Sequence, residues 1–145
     1  MRIEGRWGGR DSFHKCQVVN VRKDIDIALL KLEGSDFPHV PLAPADFHPD
    51  CFHPFILPGY PFGEETAGDL TGYDGKTASS DRQTDDLGID KIFISGEAKR
   101  GNSGSPLISE LHGFVMGLLV GSIRRESEEI NYYRPIHYFW REFLK

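Results

Sequence analysis

Short apolar runs alternate with turn signals along the whole chain, and most lack helical spacing. "MRIEGRW" (residues 1–7) alternates apolar and polar positions and reads as a strand. "KCQVVNV" (15–21) and "DIALLKL" (26–32) read as two more. The pattern then breaks. "EGSDFPHVPLAPADFHPD" (33–50) is rich in Pro and Asp and is expected to be a connecting segment. Six short runs follow: "CFHPFILPGYP", "GDLTGYDGKTA", "KIFISGE", "GSPLIS", "GFVMGLLVGSI" and "NYYRPIHYFW". Turn signals separate them, and Asp74-Gly75 is read as one of these. The polar "SSDRQTDDLG" (79–88) is expected to be a mobile loop. The terminal "FWREFLK" predicts a short helix packed through Phe139, Trp140, Phe143 and Leu144.

Three strands, a linker and six strands predict an all-β protein. Six strands can close a small antiparallel barrel, whereas three leave unpaired edges. The expected organisation is an incomplete N-terminal barrel of about three strands over 1–33 and an inter-barrel linker over 34–50. A complete six-stranded C-terminal barrel with a short C-terminal helix follows over 51–145.

Composition narrows the function classes. The 145 residues carry 16 Gly and 9 Pro, which suits a turn-rich β chain. A net charge of −5 argues against nucleic acid as a partner, since such surfaces are usually basic. No apolar run is long enough to span a bilayer as a helix. Cys16 and Cys51 allow at most one bridge and are expected to be free thiols. No signal peptide opens the chain, which says little about compartment if the chain starts inside a longer protein. "HPDCFH" (48–53) has no second ligand pair to make a metal site, so no metal or cofactor is expected.

Chemistry concentrates in "KRGNSGSPLI" (99–108). A serine hydroxyl attacks a carbonyl only when a base takes its proton and donors stabilise the oxyanion. Backbone N–H groups converge on one point only where the chain bends sharply, and Gly101 and Gly104 around Ser103 permit that bend. Alone, the same letters also suit a hairpin turn with no chemistry. Asp26 opens an amphipathic strand, where a carboxylate could orient a histidine or merely end a turn.

Taken in order, "DIALLKL" and "GNSGSP" resemble the trypsin-like (chymotrypsin-fold) serine proteases, and most of all the bacterial HtrA/Deg-like group. "ILPGYPFG" (56–63) is similar to the segment opening that family's second barrel. "GFVMGLLVGSI" is similar to the strand lining the substrate cleft, and "NYYRPIHYF" to the last strand before the helix. The resemblance implies a two-barrel fold with Ser103 as nucleophile and Asp26 as the orienting carboxylate. It implies an oxyanion hole from the N–H groups of Gly101 and Ser103, and substrate pairing along Val120, Gly121 and Ser122. Glu97 would fall near the floor of a specificity pocket and favour Lys or Arg, or else be an exposed strand-end residue. Two positions depart from the pattern: Ser105 stands where the family has a second glycine, and Asn102 where animal trypsins have an acid.

The base is the gap. In this family the histidine precedes the aspartate by two further strands, roughly 20 residues or more at ordinary strand and loop lengths. His14, the only histidine upstream of Asp26, precedes it by just 12 residues. His39, His48 and His53 read as loop residues, His112 as a hairpin turn and His137 as part of the last strand. The expectation is that the base lies in sequence before Met1, which would explain the half barrel as well. The leading reading is a serine endopeptidase acting on polypeptides, this chain lacking its catalytic histidine. The alternative is a catalytically inactive, protease-like module that binds a peptide or partner. An open half barrel also implies possible self-association.

Overall fold

The computed structural model describes residues 3–6, 13–61, 70–79, 83–84, 88–96 and 98–144. Two compact units emerge, residues 1–39 and 40–145.

The first unit is an antiparallel sheet in the order β1-β2-β3. Strand β1 (Ile3–Arg6) pairs with β2 (Phe13–Arg22), and β2 with β3 (Ile27–Leu32). The register of β2 on β3 shifts between Val18 and Asn20, leaving Val19 without a partner. Residues 23–26 turn the chain between β2 and β3. Ile25 and Ile27 are buried on either side of exposed Asp26, whose φ of +57° is left-handed. Asp, with a short polar side chain, is among the few non-glycine residues that tolerate this region.

In the second unit a six-stranded barrel closes in the order β4-β5-β7-β10-β9-β8 and back to β4. Its strands are β4 (Pro54–Gly59), β5 (Thr71–Thr77), β7 (Asp90–Ser95), β8 (Pro106–Ser109), β9 (Val115–Arg125) and β10 (Glu128–Pro135). A two-residue strand, β6 (Gln83–Thr84), lies on β7. Period-two alternation fills the interior. Phe55 and Leu57 of β4 and Ile92 and Ile94 of β7 meet Leu107, Met116, Leu119 and Tyr133. Residues 40–53 form a strap over this barrel. Pro41 and Ala43 bond Val115 through the backbone, and the Trp140 indole N–H donates to the Ala43 carbonyl at 2.8 Å. Helix α1 (His137–Phe143) ends the fold, with Phe139 and Trp140 packed on Ala43, Val115 and Ile136. Among the described residues no helix is long and apolar enough to cross a membrane.

The all-β architecture with three strands and then a closed six-stranded barrel is as expected. Four local readings are corrected. Asp74-Gly75 is no turn: both residues sit mid-strand in β5, opposite Ile56 and Phe55. A glycine is required there because a Cβ on Gly75 would lie 2.7 Å from the Phe55 ring and collide with the Ser95 carbonyl. His137 opens the helix rather than ending the strand, because Pro135 closes β10. In the helix Phe139, Trp140 and Phe143 pack as expected, but Tyr138 is the most buried residue and Leu144, at the helix end, is exposed. Of the expected loop 79–88, the described residues 83–84 pair with β7. Both cysteines are free and half-buried.

Candidate active site

Two consecutive tight turns build the Ser103 bend. The N–H of Asn102 donates to the Lys99 carbonyl at 3.0 Å, and that of Ser105 to the Asn102 carbonyl at 2.9 Å. Gly101 and Gly104 lie at φ of +99° and +86°, a region costly for residues with a Cβ. The bend is stitched to the barrel: Gly104 N–H donates to the Leu119 carbonyl at 2.7 Å, and Leu119 N–H returns to the Ser105 carbonyl at 2.9 Å. Ser103 stands exposed at the apex. Among the described residues no group accepts the N–H of Gly101 or of Ser103.

Asn102, between those two donors, is fully buried. Its carboxamide packs on the backbone of Gly59, where a Cβ would lie 2.7 Å from Asn102 Oδ1 and 2.6 Å from Ser105 Oγ. Neither polar atom of the carboxamide has a hydrogen-bond partner among the described residues.

A cleft of about 480 Å³ opens beside Ser103. Leu119, Gly121 and Ser122 of β9 and Glu129 and Asn131 of β10 line it, with Lys99 and Arg100 also on its wall. Strand β8 pairs with β9 only from Val115 to Leu118. Beyond that point β9 has β10 on one edge and no strand on the other among the described residues. A bulge falls at the changeover: Tyr132 faces Gly121 and Tyr133 faces Leu119, so Val120 is the extra residue. Bulges bend and twist a strand, and this one re-aims β9 as it enters the cleft.

On the cleft wall the Ser122 hydroxyl donates to Glu129 Oε1 at 2.5 Å, and Arg124 to Oε2 at 3.0 Å. The Ser122 hydrogen bond, followed by Arg124, holds the Glu129 carboxyl below its ordinary range.

Ser103, Gly121 and Ser122 are thus brought together around one cleft, with Gly101 in the adjoining bend. The side chain of Val120 is not on the cleft wall, lying between Leu119 and Gly121, which are. Glu97 lies outside the described residues. Asp26 is placed by the β2–β3 turn of the first unit. Within that unit Arg22 pairs with Ile27, the residue after Asp26, and His14 is 8 residues back along β2. At about 3.3 Å per residue this puts His14 roughly 25 Å from Asp26 along the sheet. None of the four histidines of the second unit lines the cleft. Glu129, Asn131 and Arg124 escaped the sequence reading, and the register of β10 on β9 was the signal that could have found them.

The sequence of residues 5–118 matches the trypsin-like peptidase domain. No curated protein sequence matches the chain. Among solved structures, the fold is similar to the Rv3671c protease of M. tuberculosis. For its inactive form the TM-score is 0.71 at 21% identity, covering 86% of this chain and 63% of that one. For the active form it is 0.69 at 22% identity, covering 86% and 55%. An HtrA-type protease, AlgW, with a decapeptide matches at TM-score 0.69 and 22% identity, covering 86% and 38%. This chain therefore spans less than two thirds of each of these proteins, and at such identities the likeness is one of fold. With most of its length matched, the chain belongs to the trypsin-like peptidase domain family.

Proposed function

We propose that this chain is part of a serine endopeptidase in which Ser103 attacks the scissile carbonyl of a polypeptide. One observation carries the reading. An exposed hydroxyl stands on a bend whose flanking N–H groups have no acceptor among the described residues, beside a cleft bordered by an open strand edge. The N–H groups of Gly101 and Ser103 are the donors to the developing oxyanion, where negative charge gains most from fixed dipoles. An extended substrate adds to the free edge of β9 around Val120, Gly121 and Ser122, backbone to backbone, as strand-adding peptides do. Asp26 would hold the tautomer of the base and stabilise its cation. Glu97 is proposed for the specificity pocket on the strength of the family resemblance alone.

The base is proposed to come from outside this chain, since His14 and Asp26 sit at opposite ends of β2 and none of the second unit's four histidines lines the cleft among the described residues. Without it the hydroxyl is not activated, and hydrolysis by this chain alone should be absent or small. The same proposal gives the first unit a tendency to self-associate, because Val19 and Val21 are exposed on a sheet whose outer strands β1 and β3 have no further strand among the described residues.

A serine-directed fluorophosphonate probe tests the assignment. Free imidazole, added as a surrogate base, should accelerate labelling of the chain, and Ser103→Ala should abolish it. Labelling that survives Ser103→Ala would overturn the nucleophile. Labelling of Ser103 that proceeds rapidly and ignores imidazole would overturn the missing base.

A further inference from the structure

The barrel holds a serine–histidine pair away from the cleft lining. His53 Nε2 and Ser109 Oγ lie 2.8 Å apart, and both residues are buried. Ser109 Oγ also accepts the backbone N–H of His112 at 3.1 Å. A hydroxyl that accepts from His112 still has its own proton to donate, and the acceptor in reach is His53 Nε2. The ring of His112 stacks on that of His53, with centroids 5.8 Å and planes 21° apart, and on Phe114 at 5.0 Å. Phe47 of the strap packs edge-on against His53, His112 and Phe114.

Ser109 is only 1% exposed, so this hydroxyl meets no substrate. What the cluster does is join segments. His53 ends the strap, and its N–H donates to Thr77 Oγ1 on β5, whose hydroxyl donates to the Asp50 carbonyl. The other partners come from β8 and the turn after it. The titratable neighbours are Asp50 and Cys51 on the strap turn, and Glu110 and His112 on the turn after β8. Lys76 lies beside Thr77 on β5, in register with Pro54.

We propose that the His53–Ser109–His112 cluster is an acid-sensitive latch holding residues 40–53 against the barrel. Protonation at His53 Nε2 turns an acceptor into a donor, so the Ser109 hydroxyl must take a second N–H and loses the acceptor for its own proton. It also places a cation in a buried site and against a second imidazole. Burial first, then His112, hold the His53 imidazole below its ordinary value of 6.5, with Asp50 acting the other way. The folded state therefore favours the neutral ring. Its contribution to stability is complete above the ordinary value and is lost as the pH falls through the lower folded-state value.

Trp140 reports on the latch, because its indole N–H donates to Ala43 of the strap. In ¹H–¹⁵N spectra recorded from about pH 7.5 down to about pH 5, the Trp140 indole resonance should move through one transition. Its midpoint should coincide with that of the His53 ring. His48 and His137 share a pocket with Trp140, so the series is recorded in a His48→Gln/His137→Gln background, where His53→Gln should remove the transition and His39→Gln, at an exposed histidine, should leave it. His112→Gln removes a repelling imidazole and should shift the midpoint upward. The latch is refuted if the background protein shows no transition while the His53 ring titrates, or if the transition persists in His53→Gln. Should His53→Gln fail to fold, His112→Gln decides: a midpoint that stays put or falls overturns the proposal.

Discussion

Replacing Gly59 by Ala tests how the Ser103 bend is held in place. The added Cβ would lie 2.6 Å from Ser105 Oγ and 2.7 Å from Asn102 Oδ1. Ordinary van der Waals contact needs well over half an ångström more. The Ser105 hydroxyl can rotate aside, but Asn102 is fully buried and the bend is pinned to Leu119 by two backbone bonds, so the carboxamide cannot retreat without moving the turn. Overpacking of this kind costs about 1–3 kcal/mol, a sizeable part of the roughly 5–15 kcal/mol that holds a domain folded. Urea unfolding followed by fluorescence should show a lower midpoint at an unchanged slope. Asn102→Ala removes the Oδ1 clash and makes room for the new methyl once the Ser105 hydroxyl has rotated away. The double variant Gly59→Ala/Asn102→Ala should therefore be more stable than the summed single costs predict, by about 1 kcal/mol or more. A Gly59→Ala protein within about 0.5 kcal/mol of wild type, with additive double-variant behaviour, would refute the packing argument.

Further outcomes follow from the same reasoning. Tyr133→Phe removes a buried hydroxyl with no partner among the described residues, and should raise stability by about 1 kcal/mol in the same unfolding assay. Leu107→Ala, at a fully buried core position, should cost about 2–5 kcal/mol. Ser122→Ala deletes the main stabiliser of the Glu129 carboxylate, so its ¹³C carboxyl titration should move up toward the ordinary value of 4.5. Any stabilisation from that carboxylate is present above the ordinary value and fades as the pH falls through the lowered one. If the exposed valines of the first unit drive association, light scattering of Val19→Lys/Val21→Lys should show smaller species than wild type.

Strand count, barrel closure and the bend at Ser103 were legible in the chain because their signals are local. Alternation has a period of two residues, and a bend of this geometry demands glycine at set positions, as at Gly101 and Gly104. The family followed from the order of "DIALLKL" and "GNSGSP". What the letters could not carry was anything set by register. Asp74-Gly75 has the letters of a turn, yet it lies mid-strand because the Phe55 ring and the Ser95 carbonyl occupy the space beside it. The bulge that sets Val120 between the partners of Tyr132 and Tyr133 left no mark in the letters of β9. His53 looked like a solvated loop residue until Ser109, 56 positions away, arrived at 2.8 Å. Each of these depends on which residues from distant strands come opposite one another, a choice made by the closing barrel rather than by any stretch of chain alone.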